Sequence, residues 1–162
     1  EMRRRGTQCR CIRCREIRGD SIAEQDLVLA DLVYHPHYTE EHFLNYSSPN
    51  DRLAGYLRLS FPSDKNEPAR QIQNQVQTAI PELQGCAIIR EVHIYGQSLQ
   101  FGVEKNGAAQ HVGLGSHLIE QAVQLAHARG FKKIAVIAAI GTRRYYRDRG
   151  FDGGELYMIR DI

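Results

Sequence analysis

Apolar and polar residues alternate through the second half of Leu53-Ala54-Gly55-Tyr56-Leu57-Arg58-Leu59-Ser60-Phe61, the two-residue period of a strand with one buried face. Residues 27–34 read as a preceding strand stopped by Pro36, and His42-Phe43-Leu44-Asn45-Tyr46 as another that ends in the turn-rich Ser47-Ser48-Pro49-Asn50-Asp51. The three predict a meander. Residues 62–84, rich in Pro, Asn, Gln and Ser, predict a long surface loop with a helical turn near 70–79. A central strand is expected over 86–95 and a glycine-containing connection over 101–109. Leu114, Leu118, Ala122, Leu125 and Ala126 then recur at helical spacing until Gly130 closes the segment. The continuous apolar run 134–140 predicts a strand buried on both faces. A short helix over 143–149, ended by Gly150, and a final strand or hairpin over 151–159, bent at Gly153-Gly154, complete the chain. This order gives an α/β fold with a mixed central sheet flanked by helices. No internal repeat is visible.

A chain of 162 residues with 42% hydrophobic content fits one compact domain. No apolar run reaches the roughly 20 residues that cross a bilayer, so a soluble protein without a membrane role is expected. No secretory signal is recognisable, and the start at Glu1, inside a basic stretch, reads as that of an excised fragment. The net charge of +2 hides a cluster: Arg3, Arg4, Arg5, Arg10, Arg13, Arg15 and Arg18 face only Glu1, Glu16 and Asp20. Such a patch suits an RNA or DNA phosphate backbone and equally suits a solvated linker. Residues 1–20 are therefore read as a basic, cysteine-rich arm and residues 21–162 as the domain proper.

Cys9, Cys11 and Cys14 crowd that arm, and Cys86 lies far along the chain. Three close thiolates with a distant fourth would complete the tetrahedron of a structural zinc site and staple arm to domain. The spacing matches no ferredoxin-type iron–sulfur run, and three reduced thiols in a flexible arm is the plainer alternative. Unpaired thiols point to a reducing compartment, the cytoplasm.

Gln110-His111-Val112-Gly113-Leu114-Gly115 follows a strand and opens a helix, where backbone N–H groups and the helix dipole attract a phosphate. The loop lacks the lysine of a Walker motif and the third glycine of a dinucleotide fingerprint. Taken alone, it also fits a tightly packed helix entry.

The same six residues resemble the Q/R-x-x-G-x-G/A loop of the GNAT acyltransferase superfamily, and Tyr145-Tyr146-Arg147-Asp148-Arg149-Gly150-Phe151 resembles that superfamily's tyrosine segment before its Gly-Phe pair. More specifically, Cys9 to Arg15 with Glu16-Ile17-Arg18, Leu83-Gln84-Gly85-Cys86, the segment 90–96 and Ala109-Gln110-His111 resemble the carboxyl-terminal acetyltransferase-like domain of the Elongator catalytic subunit family. That resemblance spans nearly the whole chain. It implies a GNAT fold, acetyl-CoA held by Gln110, His111, Val112, Gly113, Leu114, Gly115, Ser116 and Tyr146, and tRNA as the partner. It also implies acetyl-CoA-dependent carboxymethylation of carbon 5 of the wobble uridine, with tRNA-dependent acetyl-CoA hydrolysis. In that family a radical SAM domain, with an iron–sulfur cluster and S-adenosylmethionine, precedes the cysteine-rich linker. No such domain is present in this sequence. The implied partners are therefore that domain and other Elongator subunits, without which the fragment is expected to bind acetyl-CoA but not to complete the modification.

Glu91, His93 and Tyr95 alternate along one strand and should share a face. Glu91 could orient a water or an amine, or pair with Arg90 or another arginine; His93 could act as acid or base, or simply pack. Tyr146, four residues before Gly150, resembles the GNAT tyrosine that protonates the leaving CoA thiolate. Its neighbour Tyr145 is the alternative, and one of the two must pack in the core because adjacent helical residues point apart. His111 could contact phosphate or gate the thioester. Arg143, Arg144, Arg147 and Arg149 could receive CoA phosphates or an RNA strand, or form a solvated face. The rival classes are a protein lysine N-acetyltransferase and a non-catalytic tRNA-binding module.

Overall fold

A computed structural model of the chain describes residues 6–17, 24–62, 68, 71–72, 75–76, 79–95 and 113–162. The expected meander forms: β1 (Val28–Tyr34), β2 (Thr39–Ser47) and β3 (Leu53–Pro62) pair antiparallel in sequence. β2 reaches back past the expected His42 because Glu40 and Glu41, polar in the pattern, are buried and paired. Arg129 and His42 bond Glu40, and Ser60 bonds Glu41 at 2.6 Å.

β4 (Cys86–Ile94) is the middle strand of seven, in the order β1-β2-β3-β4-β5-β7-β6. Its register against β3 slips at one place: Arg58 faces Glu91 while Leu59 faces Ile89, which leaves Arg90 as an extra residue. A bulge of this kind inverts the alternation of side chains beyond it. Ala87 and Ile89 before the bulge pack in the main core, and Val92 and Ile94 pack against it afterwards. Glu91, His93 and Tyr95 are thereby sent to the opposite face.

Helix α2 (Leu114–Ala128) covers the core face, burying Leu118, Ile119, Ala122 and Ala126 against Leu57, Leu59, Ile89 and Ile134. Gly130, at φ 85°, ends it as the sequence predicts. β5 (Lys133–Val136) runs parallel to β4 over four pairs, Cys86↔Lys133 to Ile89↔Val136. The expected strand over 134–140 is thus too long: Ile137 and Ile140 are 61% and 83% exposed, and Ile140–Thr142 is a 3₁₀ turn. The last β4–β5 pair lies directly before the Arg90 bulge, which turns β4 aside and leaves the apolar run without a partner. Helix α3 (Arg143–Arg147) and the hairpin of β6 (Asp152–Gly153) and β7 (Met158–Asp161) follow as expected. Glu82 secures the bend by accepting backbone N–H bonds from Glu155, Leu156 and Tyr157 at 2.7, 2.8 and 3.0 Å.

Within 62–84, residues 68, 71–72, 75–76 and 79 are helical and Pro81–Leu83 makes a 3₁₀ turn; the rest of the expected loop, like the connection over 101–109, lies partly or wholly outside the described residues. The arm contributes one turn, α1 (Ile12–Arg15), and then docks on the start of β3. Ile17 donates its N–H to the Leu53 carbonyl at 2.9 Å, and the Arg52 guanidinium bonds the Cys14 and Glu16 carbonyls. Among the described residues no helix is long and apolar enough to cross a membrane.

Candidate functional site

Beyond the Ile89↔Val136 pair the central strands part, and Ile94, farther along β4, lies beside the first turn of α2. Backbone N–H groups of a first helical turn lack internal acceptors, so the place suits an anionic group. Gln110, His111 and Val112 lie outside the described residues. Gly115 is buried, and a methyl group there would collide with the Tyr145 hydroxyl and touch Ile94. Glycine is needed at 115 for that close approach.

The two tyrosines divide as adjacent helical residues must. Tyr146 is 8% exposed and meets Phe151 edge-on at 5.6 Å; burial pushes its phenol up, which suits core packing. Tyr145 is half-buried, with its hydroxyl against Gly115 and the Arg149 guanidinium 3.5 Å from its ring centre. Arg149 also donates to Ser116 Oγ at 2.9 and 2.6 Å and to the Tyr145 carbonyl at 2.6 Å. Of the arginine cluster, Arg143, Arg144 and Arg147 remain exposed.

On the other face, Glu91 is already engaged. The Tyr56 hydroxyl donates to its Oε1 at 2.5 Å, and Arg58, rather than Arg90, lies 3.8 Å from Oε2. Burial and the Glu91 carboxylate push the Tyr56 phenol up, so it holds its proton and keeps donating. Sequence reasoning missed Tyr56, which reads only as one more position of an alternating strand. Its ring lies nearly parallel to His93 at 5.8 Å, and His93 in turn meets Tyr95 at 4.8 Å.

Cys9, Cys11 and Cys14 are exposed, with their sulfurs within 4.8 Å of one another, a donor set that suits a tetrahedral thiophilic ion such as zinc. Hydrogen bonds from the Cys14 backbone and the neighbouring thiols pull Cys11 down to about 7, while bonding to the Cys11 and Cys9 side chains pushes Cys14 up to about 11. The expected fourth ligand needs correction. Cys86 begins β4, the arm docks beside the opposite end of that strand, and nine residues at about 3.3 Å each separate them by roughly 25 Å. Cys86 is instead buried among Leu83 and Ala135 and donates to the Glu82 carbonyl at 3.4 Å. The arm is stapled by Arg52 and Ile17.

No family model matches the chain. Elongator complex protein 3 of Drosophila melanogaster is 36% identical over 166 residues, which cover 97% of this chain and 28% of that protein. The tRNA uridine(34) acetyltransferase of Dehalococcoides mccartyi is 32% identical over 98% of this chain and 33% of its own length. The chain therefore spans about a third or less of these relatives. The solved structure of Methanocaldococcus infernus Elp3 with an N-terminal deletion aligns with 99% of this chain and 37% of its own at a TM-score of 0.73 and 28% identity. An acetyltransferase of the GNAT family from Desulfovibrio desulfuricans shares the fold, with a TM-score of 0.50 at 17% identity over 75% of this chain and 69% of its own.

Proposed function

We propose that this chain, which belongs to the Elongator complex protein 3 family and has the GNAT fold, is the acetyl-CoA-binding part of a tRNA-modifying acyltransferase. The observation that carries this reading is the Tyr145 hydroxyl, held against Gly115 at the start of α2, where the central strands have parted. The pyrophosphate of acetyl-CoA would lie on the α2 N-terminus and its thioester in the gap. Attack on the thioester carbonyl carbon by water, or by an acceptor group, breaks the carbon–sulfur bond. The Tyr145 phenol then gives its proton to the departing thiolate; with water the products are acetate and free CoA, one proton of the water restoring the phenol and the other leaving to solvent. Glu91, bonded by Tyr56, serves this site better as a fixed anchor of the acceptor face than as a free base. Zinc held by Cys9, Cys11 and Cys14 would brace the arm, with the fourth position of its tetrahedron filled from outside this thiol cluster.

The name of one relative, tRNA uridine(34) acetyltransferase, supports tRNA as the macromolecular substrate and uridine 34 as the modified nucleoside. Carbon 5 as the modified position and tRNA-dependent acetyl-CoA hydrolysis belong to this proposal through the resemblance of the sequence. A radical SAM domain, with its iron–sulfur cluster and S-adenosylmethionine, and other Elongator subunits would be the protein partners, in the cytoplasm. The lysine acetyltransferase reading is disfavoured by charge. Arg10, Arg13, Arg15 and Arg58 line the hollow on the acceptor face and would repel an approaching ammonium. Acetyl-CoA turnover by the purified chain, alone, with tRNA and with a lysine peptide, tests the reading. Stimulation by tRNA is expected; stimulation by peptide alone overturns it, and absence of acetyl-CoA binding in calorimetry leaves the non-catalytic module.

A further inference from the structure

We infer that the hollow between the cysteine arm and the open face of the sheet receives one unstacked nucleotide of an RNA strand. The hollow measures about 900 Å³, within the range of roughly 300–1,000 Å³ typical of small-molecule sites. Its floor is a row of rings across three strands. Phe43 on β2 stacks with Tyr56 on β3 at 5.1 Å, Tyr56 lies nearly parallel to His93 on β4 at 5.8 Å, and Tyr95 leans on His93. The Arg90 bulge turns His93 and Tyr95 onto this face, away from α2. Phe43, Tyr56 and His93 turn their faces to one another and Tyr56 is buried, so the exposed end of the row, His93 beside Tyr95, is where a base would stack, whichever base it is.

The rim supplies the complementary charge. Arg10, Arg13 and Arg15 from the arm and Arg58 from β3 line the hollow with Glu16, and Glu91 lies beside Arg58 at 3.8 Å, so cations still outnumber carboxylates at the rim. Asp51 pairs with two of these guanidiniums, at 3.1 Å from the exposed Arg10 and 2.7 Å from the largely covered Arg15. The exposed His93 end of the ring row below and the guanidiniums above match a nucleotide, base inward and phosphate at the rim. A lysine side chain would meet repulsion there, and an acidic peptide would leave the ring row unused.

The inference rests on the RNA reading above and adds to it where the strand enters. The test uses an RNA stem–loop with a fluorescent base analogue placed in turn at each loop position. Stacking on tyrosine and histidine rings is expected to quench one position. His93→Ala and Tyr95→Ala should each weaken binding about tenfold and abolish that quenching, while Tyr95→Phe keeps both. Arg13→Ala should lower the slope of log affinity against log salt by about one. Circular dichroism melts check that the variants are folded. Binding and quenching that survive both alanine substitutions overturn the nucleotide site and leave the RNA reading standing, as does binding without quenching at any position. Failure of the unaltered chain to bind the RNA overturns both. Displacement of the RNA by poly-glutamate, with the same losses in the variants, shows a general anion site and overturns the inference.

Discussion

The Arg149 guanidinium covers the Tyr145 ring at 3.5 Å and bonds the same residue's carbonyl at 2.6 Å, so one side chain holds the tyrosine from two directions. Such a clamp leaves the hydroxyl as the free end, aimed at Gly115. Tyr145→Phe keeps the ring and the clamp and removes only the proton donor. Acyl turnover is expected to fall about 10²–10⁴-fold, the usual worth of a placed acid, with acetyl-CoA affinity little changed in calorimetry. Tyr146→Ala opens a hole beside Phe151 and should read out as about 3–5 kcal/mol of stability in denaturant titrations. If Tyr145→Phe turns over like the unaltered chain, the proton donor lies elsewhere.

Gly115→Ala separates stability from activity. In a helix interior alanine is favoured over glycine by about 1 kcal/mol, but Gly115 is the buried second residue of α2 and displacing Tyr145 offsets that gain, so the melting temperature should change little or fall by a few degrees. The added methyl meets the Tyr145 hydroxyl, which is pinned from behind by Arg149 and has to move for the methyl to fit. Turnover should therefore drop while the fold is retained. A variant that is both stable and fully active would show that the hydroxyl's place against α2 does not matter.

What the sequence revealed followed how local each feature is. The meander, helix α2 and its Gly130 stop are written in periodicity and turn chemistry, and they form where expected. The early end of β5 is not local. It depends on a one-residue bulge at Arg90 in another strand, and nothing in Ile88-Ile89-Arg90-Glu91 marks the slip. The same bulge places Glu91, His93 and Tyr95 together, as alternation predicts, yet their partner Tyr56 comes from β3 and carries no motif. Glu40 and Glu41 lie outside the strand expected from His42 because burial of a charge is decided by its partners, here Arg129, His42 and Ser60, which are distant or unremarkable in sequence. Chemistry alone groups Cys86 with the arm thiols, and only the direction of β4 separates them.

That separation makes a clear experiment on metal content. Cys11→Ser should lower bound zinc from about one ion per chain toward none, measured by elemental analysis, since a site of this kind relies on every thiolate. Cys86→Ser should leave the zinc in place and act on stability instead, because it puts a hydroxyl into a buried apolar cluster. Loss of metal in Cys86→Ser would contradict the strand geometry, and a metal-free protein with four titratable thiols would remove the site altogether.

Glu40 links the sheet to the end of α2 and gives the fold a pH signature. Its carboxylate is buried, bonded by Arg129 and, at 3.0 Å, by His42 Nε2, whose Nδ1 lies 2.7 Å from Asp31. Burial works against the charge, but the His42 and Arg129 contacts outweigh it and hold the carboxyl below its usual range. A carboxyl depressed by folding stabilises the native state above its unfolded pKa, near 4.3, and that contribution is lost as pH falls through the lower folded value. Glu40→Gln should therefore cost about 1–3 kcal/mol at neutral pH, the worth of charge-assisted bonds to a buried group. The gap from the unaltered chain should narrow as the buffer is taken below about pH 4, where the native carboxyl also becomes neutral. Denaturant titrations of both proteins across that range measure it. A gap that stays constant from neutral into acid would mean that Glu40 is held for its shape and not for its charge.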